Sequence, residues 1–389
     1  MSQAIPYNET EPRISHDDGD YDLWFLGAAG VILGLGLVMV ASASIPLASK
    51  NGFIDLYYFW RQVAALCLGV GIGSILVYLP LTVLYRLSSV FLLAGIALLT
   101  LILVPGVGHE VNGSLRWLRV GPLTVQASEP MKVVVIVYVS SYLVRHKLHV
   151  QTDFIGFIKP IGVMTVVAGL LLLEPDFGAT VVIFATTLGM LFLGRVPFVR
   201  FCSWGLVALA TLASLAMLAP YRMKRLMTFM DPWSDPYDSG FQLTQALIAF
   251  GRGEWLGVGL GNSVQKLFYL PEVHTDFLFA VVAEELGMIG TLFVIALFMF
   301  LVWRIMFIGS LAHHRGLEFA AYLSYGIALI IGMEAFINIG VNMGLLPTKG
   351  LTLPLMSYGS NSVVTVCVML ALVCRVVKET RAVARESSS

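Results

Sequence analysis

Long charge-free apolar windows alternate along the chain with short polar punctuation, and each window is about as long as a bilayer crossing. Windows of at least 18 residues run from Leu23 to Ser49, Gln62 to Tyr85, Leu87 to His109, Phe177 to Gly194, Phe201 to Tyr221, Leu286 to Trp303 and Gly350 to Cys374. A helix needs about 20 apolar residues to cross the hydrocarbon, so each window predicts a span. Three weaker segments join them: Ser128 to Val144, which opens with Glu129 and Lys132; the short Ile158 to Leu173; and Leu317 to Met343, which contains Glu334. The pattern predicts an all-α polytopic membrane protein of about ten transmembrane helices, occupying residues 23–378.

Composition agrees with the pattern. Hydrophobic residues make up 58% of the 389 and charged residues only 12%, which excludes an ordinary water-soluble enzyme. The 24 Lys and Arg balance 24 Asp and Glu, so no net field points to nucleic acid as a partner. Residues 1–22 are acidic and lack the basic flank of a cleaved signal peptide, and they read as a disordered cytoplasmic tail. Residues 379–389 form a second cytoplasmic tail. The four cysteines fall within predicted spans with no metal-type spacing, which argues against a disulfide or zinc role.

With ten spans both ends share a side, and Arg375, Lys378, Arg381 and Arg385 place that side in the cytoplasm. Thirteen Lys and Arg then lie inside, against six outside once the long loop 219–275 is set aside.

This sidedness gathers the polar motifs on the outer side. Between spans three and four, Asn112-Gly113 and Gly121-Pro122 supply turn chemistry around Arg116, Trp117, Arg119 and Gln126. That stretch is either a loop anchored at the membrane interface by Trp117 and Arg119, or the lead-in to a helix capped by Ser128, with Lys132 facing the membrane surface. Between spans five and six stands Glu174-Pro175-Asp176-Phe177-Gly178. Its carboxylates are either a polar turn with Asp176 capping the next helix, or groups with a partner or function, since unpaired carboxylates at the hydrocarbon edge are expensive.

The long loop carries Arg222, Lys224 and Arg225, then an amphipathic pattern in Leu243, Ala246, Leu247 and Phe250, then Gly257-Val258-Gly259-Leu260-Gly261. The glycines serve tight turning rather than a phosphate cradle, because no strand-turn-helix unit surrounds them. The loop closes on Glu272-Val273-His274-Thr275-Asp276. Asp276 fits a helix N-cap, and a carboxylate beside a cation-rich loop also fits a general base. Glu284 and Glu285 lie two turns deeper and must be paired or reach water. The last connection, Pro347 to Ser362, combines Lys349 with proline, glycine and hydroxyl residues including Ser357, which implies a broken or cavity-lining helix.

Arg116, Lys132, Arg222, Arg225, Lys266 and Lys349 can clamp an anionic head group. Asp276, Glu174, Asp176 and Glu272 supply bases or metal-binding oxygens. Such a set suits group transfer from a lipid phosphate, in which a base takes a proton from an attacking hydroxyl while cations stabilise the departing pyrophosphate. A divalent cation, Mg2+ or Mn2+, can share the second task, with no metal ligand assigned and no other cofactor expected.

At these residues the chain resembles the SEDS family (shape, elongation, division and sporulation proteins), in its FtsW-like division branch. The carriers are Asn112 to Lys132, Glu174 to Gly178, Arg222 to Gly261, Tyr269 to Glu285 and Pro347 to Ser362. Two positions depart from the family pattern, Ala127 for proline and Ser360 for glycine; both affect backbone stiffness rather than ionisable groups. The resemblance implies a peptidoglycan glycosyltransferase polymerising lipid II at the outer face of the bacterial cytoplasmic membrane, at the division septum. It implies Asp276 as catalytic base, and Arg116, Lys132 and Lys349 as functional positions, with a role in pyrophosphate binding. Arg222, Arg225, Glu174, Asp176, Ser357 and Gln126 complete the expected substrate site. The partners it implies are a class B penicillin-binding protein, division regulatory proteins and membrane lipids. A lipid II flippase and a division scaffold that only recruits the transpeptidase are the competing expectations.

Overall fold

The computed structural model describes residues 21–111, 114–121, 123–217, 227–238, 240–348 and 350–388. Twelve helices stand out: α1 (Leu23–Lys50), α2 (Tyr57–Tyr78), α3 (Leu81–Ile102), α4 (Ser128–Arg145), α5 (Lys147–Thr152), α6 (Phe154–Leu173), α7 (Phe177–Leu193), α8 (Phe198–Met217), α9 (Phe241–Gly253), α10 (Leu278–His314), α11 (Glu318–Asn342) and α12 (Ser360–Ser388). Among the described residues, seven are long and apolar enough to cross a membrane: α1, α2, α3, α6, α10, α11 and α12. The apolar stretches of α7 and α8 are shorter, and α4 carries Glu129, Lys132 and Arg145. The chain is a multi-pass helical membrane protein. The apolar windows of α11 and α12 are each 72% buried inside the bundle, against 22% for α3, so these two helices lie at its centre.

Several boundaries differ from the hydropathy windows, for one physical reason. A charge-free window stops at a charge, whereas a helix continues through any charge that finds a partner. Arg61 lies inside α2, where it reaches the Tyr57 hydroxyl, and Pro80 at the N-cap of α3 sets the break the window missed. The window starting at Leu286 omitted Glu284 and Glu285, and stopped before Arg304, which pairs with Asp22 at 2.7 Å. Asp22 also caps α1 by accepting from Phe25 N. The window Gly350 to Cys374 holds two structures, an irregular inserted segment over residues 350–359 and then α12. That helix runs on through the expected C-terminal tail. The expected N-terminal tail, apart from Tyr21 and Asp22, lies outside the described residues.

Residues 108–126 form a three-stranded antiparallel sheet that the apolar pattern did not predict: β1 (Gly108–Val111), β2 (Ser114–Val120) and β3 (Leu123–Gln126). Strands β1 and β2 pair with Val111 opposite Ser114, and the Asn112-Gly113 turn expected between them lies outside the described residues.

Small residues bring backbones together at two places that matter for the site. Gly69 and Gly73 of α2, four apart, face Cys367 and Ala371 of α12, where added β-carbons would stand 2.9 and 3.0 Å from those side chains. On α1, a β-carbon on Gly36 would lie 2.5 Å from Met356 Cα, so the inserted segment presses its main chain onto α1.

Candidate active site

At one end of the bundle the hairpin, the α6–α7 turn, the start of α10, the end of α11 and the inserted segment meet through a continuous series of contacts. Asp176 caps α7 by accepting from Ala179 N at 3.1 Å, as its sequence position suggested. Its other oxygen accepts from Ser128 Oγ at 2.9 Å and Gln126 Nε2 at 3.2 Å, while Arg116 Nη1 stands 4.0 Å from the capping oxygen. Ser128 is therefore not the N-cap of α4. Ala127 holds that position, and the Ser128 hydroxyl is turned across to α7.

Next to this cluster Glu174 is fully buried, and among the described residues neither carboxyl oxygen has a hydrogen-bond partner. Burial, reinforced by the negative charge of Asp176 and partly offset by Arg116, pushes its carboxyl up to about 8. Burial thus favours the neutral form of Glu174.

Contacts then lead to Asp276. Gly178 of α7 packs on Leu351 of the inserted segment, and Leu351 O accepts from Asn338 Nδ2 at 2.6 Å. The same amide nitrogen donates to Asp276 O at 2.9 Å, and Asn342 Nδ2 donates to that carbonyl at 2.9 Å. Asn342 Oδ1 accepts from Ala280 N at 3.0 Å, supplying the start of α10 with an acceptor. Asp276 itself is half-buried and is not a helix N-cap, since Phe277 holds that place. Its carboxylate lies beside Gly350, where an added β-carbon would stand 3.2 Å from Oδ2.

Three expected anion-binding positions, Arg222, Arg225 and Lys349, lie outside the described residues. Two others are committed elsewhere. Lys132 is 2% exposed and is held between Glu129 and Glu334, so it is a buried structural cation rather than one turned to the membrane surface. Lys266 pairs with Glu285 at 3.0 Å and donates to Gly261 O and Ser42 Oγ. Ser357 is also buried, with its hydroxyl accepting from Leu353 N and its carbonyl accepting from Gln62 Nε2. It shapes the inserted turn rather than presenting a free hydroxyl.

Glu284 and Glu285 are the buried acids that had to be paired. Glu284 accepts from Arg252 at 2.9 Å, from the Ser263 hydroxyl and from Val264 N, and Glu285 accepts from Ser42 Oγ at 2.8 Å. These bonds fold the distal part of the long loop back against α10. The glycine run completes the fit: Gly287 breaks α10 with φ 66°, and Val258 N and Gly259 N donate to the exposed carbonyls of Glu284 and Glu285. A β-carbon on Gly257 would stand 2.2 Å from Glu285 O.

Asn338 and Asn342 escaped the sequence reading, although Glu334, Asn338 and Asn342 recur four apart in an apolar helix. Among the described residues no three His, Cys, Asp or Glu side chains converge as a metal cage.

A profile of the FtsW, RodA and SpoVE family, described as "Cell cycle protein", matches residues 23–382. The chain is 55% identical over 360 residues to the "Probable peptidoglycan glycosyltransferase FtsW" of Nitrosococcus halophilus, covering 92% of this chain and 93% of that protein. It is 50% identical to the protein of the same name from Hahella chejuensis, over 92% of this chain and 90% of that one. A chain from a solved structure described as "Structural coordination of polymerization and crosslinking by a peptidoglycan synthase complex" aligns with TM-score 0.75 and 29% identity, covering 92% of this chain and 98% of that chain. The crystal structure of Thermus thermophilus rod shape determining protein RodA aligns with TM-score 0.69 and 27% identity, covering 92% and 97%.

Proposed function

The chain belongs to the cell cycle protein family of FtsW, RodA and SpoVE, and we propose that it polymerises lipid II at the outer face of the cytoplasmic membrane with Asp276 as its base. It is an FtsW-type peptidoglycan glycosyltransferase acting in septal wall synthesis.

The proposed chemistry is an inverting transfer. The acceptor sugar's 4-hydroxyl oxygen attacks the anomeric carbon of the donor, its proton passes to the Asp276 carboxylate, and the bond from that carbon to undecaprenyl pyrophosphate breaks. The energy resides in the activated lipid, so no nucleotide is needed. Arg116 at the hairpin and Lys349, next in sequence to Gly350, are the proposed contacts for the departing pyrophosphate. If Mg2+ or Mn2+ takes part, the substrate's phosphate oxygens and a single carboxylate such as Asp276 suffice to bind it, without a protein cage.

One observation carries this assignment above all. Asp276 is half-buried beside the glycine backbone that follows Lys349, and its main chain is fixed by two asparagines. Reactive carboxylates need such placement more than they need strength.

Sidedness supports the outer location. The opposite end of the bundle carries the basic connections, with Lys147 paired to Glu318, Arg315 donating to Thr380 O and Arg375 bonded to Glu379, as expected of a cytoplasmic face. The proposed partner is a class B penicillin-binding protein, with division regulators alongside. Glu334 forms a buried ion pair with Lys132, and a flippase reading would gain from such a pair inside the bundle, so translocation has to be read beside polymerisation.

The test is polymerisation of labelled lipid II by the purified protein with its transpeptidase in vesicles, read beside head-group translocation. Glycan strands without translocation are expected. Translocation without strands would replace the enzyme with a flippase.

A further inference from the structure

Three polar residues recur four apart along the C-terminal part of α11: Glu334, Asn338 and Asn342. That spacing sets them on one face. The lowest, Glu334, accepts from Lys132 of α4, whose ammonium also donates to Glu129 at 2.8 Å. The upper two hold the main chain at Asp276, with Asn338 also bonded to Leu351 O and Asn342 to Ala280 N. Glu334 and Asn342 are eight residues apart, roughly 12 Å along the helix. Lys132 therefore meets the stripe about one turn below Asn338 and about two turns below Asn342, the residues that hold Asp276.

We propose that this stripe is the positioning device for Asp276, and that Lys132 acts on the reaction through it rather than by touching the substrate. The ion pair fixes the height and rotation of α11 against α4. From that helix the two asparagines set the position of the Asp276 carbonyl, and Asn338 ties the segment following Gly350 to the same point. A displacement of α11 would move the base and its flanking backbone together. An apolar residue in place of Asn338 would take a donor from Asp276 O and Leu351 O, and one in place of Asn342 would take a donor from Asp276 O and leave Ala280 N without its acceptor.

The proposal rests on Asp276 being the base, and the experiment separates the two claims. Initial rates of lipid II polymerisation are measured on the purified complex with its transpeptidase, across substrate concentration and pH. The variants are Asn342→Leu, Asn342→Ser, Lys132→Met, the double Asn342→Leu/Lys132→Met, and Asp276→Ala as control. Asn342→Leu and Lys132→Met are each expected to lower kcat at least tenfold with KM changed less than twofold, and to shift the acid limb of the pH profile. A simple loss of folded enzyme would lower the rate without moving that limb. The double variant should be no worse than the more severe single, because both act on one carbonyl. Should Asn342→Leu fail to fold, Asn342→Ser, which keeps a donor, decides by an intermediate kcat and an intermediate limb.

A raised KM for Lys132→Met with kcat and acid limb unchanged would overturn the proposal in favour of direct substrate contact. Wild-type kcat in the folded asparagine variants would overturn it as well. Activity in Asp276→Ala would instead remove the base assignment beneath it.

Discussion

Gly350 packs against Asp276: a β-carbon at position 350 would stand 3.2 Å from Asp276 Oδ2, so a side chain there makes the carboxylate give way by a few tenths of an ångström. Backbone conformation does not demand glycine there, since its φ is not in the left-handed region. Space beside the carboxylate favours it. Gly350→Ala should fold and insert normally yet lower the polymerisation rate by roughly tenfold, since sub-ångström misplacement of a reacting group is costly. Initial-rate measurements on the purified complex check this, and an unchanged rate would mean that the carboxylate has room to move.

Glu174 gives a pH signature in stability. Its carboxyl is raised from the ordinary 4.5 to about 8, first by burial and then by Asp176, with Arg116 pulling the other way. The folded chain therefore holds a proton that the unfolded chain has released between those two values. Stability contributed by this group is full at low pH and is lost as pH rises through about 8. Glu174→Gln should flatten the fall in melting temperature between pH 6 and pH 9 in detergent. Equal slopes for the two proteins would show that Glu174 is ionised in the fold.

Lys266 tests the inward folding of the long loop. Removing it by Lys266→Met leaves Glu285 as a buried carboxylate whose donors among the described residues are Ser42 Oγ and Ser263 N. Breaking a buried pair from one side costs about 3 kcal/mol or more, so a clear drop in melting temperature is expected. The double variant Lys266→Met/Glu285→Gln should recover much of it. A single variant as stable as the wild type would mean that the loop does not depend on this ion pair.

Gly257 should tolerate no side chain. Its φ is 76°, and a β-carbon would meet Glu285 O at 2.2 Å. Gly257→Ala is expected to loosen the loop from α10, detected as faster proteolysis between residues 254 and 270. Wild-type resistance would contradict the contact.

How far the sequence could go is visible in particular residues. That the chain is a multi-pass helical membrane protein was legible because apolar length is a direct requirement of the bilayer; against the ten spans expected, seven helices among the described residues are long and apolar enough to cross. Helix ends were not legible, because Arg61, Glu284, Glu285 and Arg304 are partnered inside helices, and pairing is a long-range fact. The same limit explains Lys132 and Lys266, which read as outward cations and proved to be neutralised by distant acids. Gln126, Glu174 and Asp176 were legible as a polar gathering, and Asp176 as a cap. The hairpin was hidden because its strands are short and of mixed polarity. Asn338 and Asn342 were missed because uncharged residues in an apolar helix do not interrupt a charge-based window.

The central claim is that the carboxylate of Asp276 removes the acceptor's proton. Its most direct measurement is lipid II polymerisation by the purified complex carrying Asp276→Asn, a change that keeps the volume and the main-chain bonds to Asn338 and Asn342. The account predicts a folded, partner-bound protein that binds lipid II and forms no glycan strands. Strands made at the wild-type rate by that variant would contradict it.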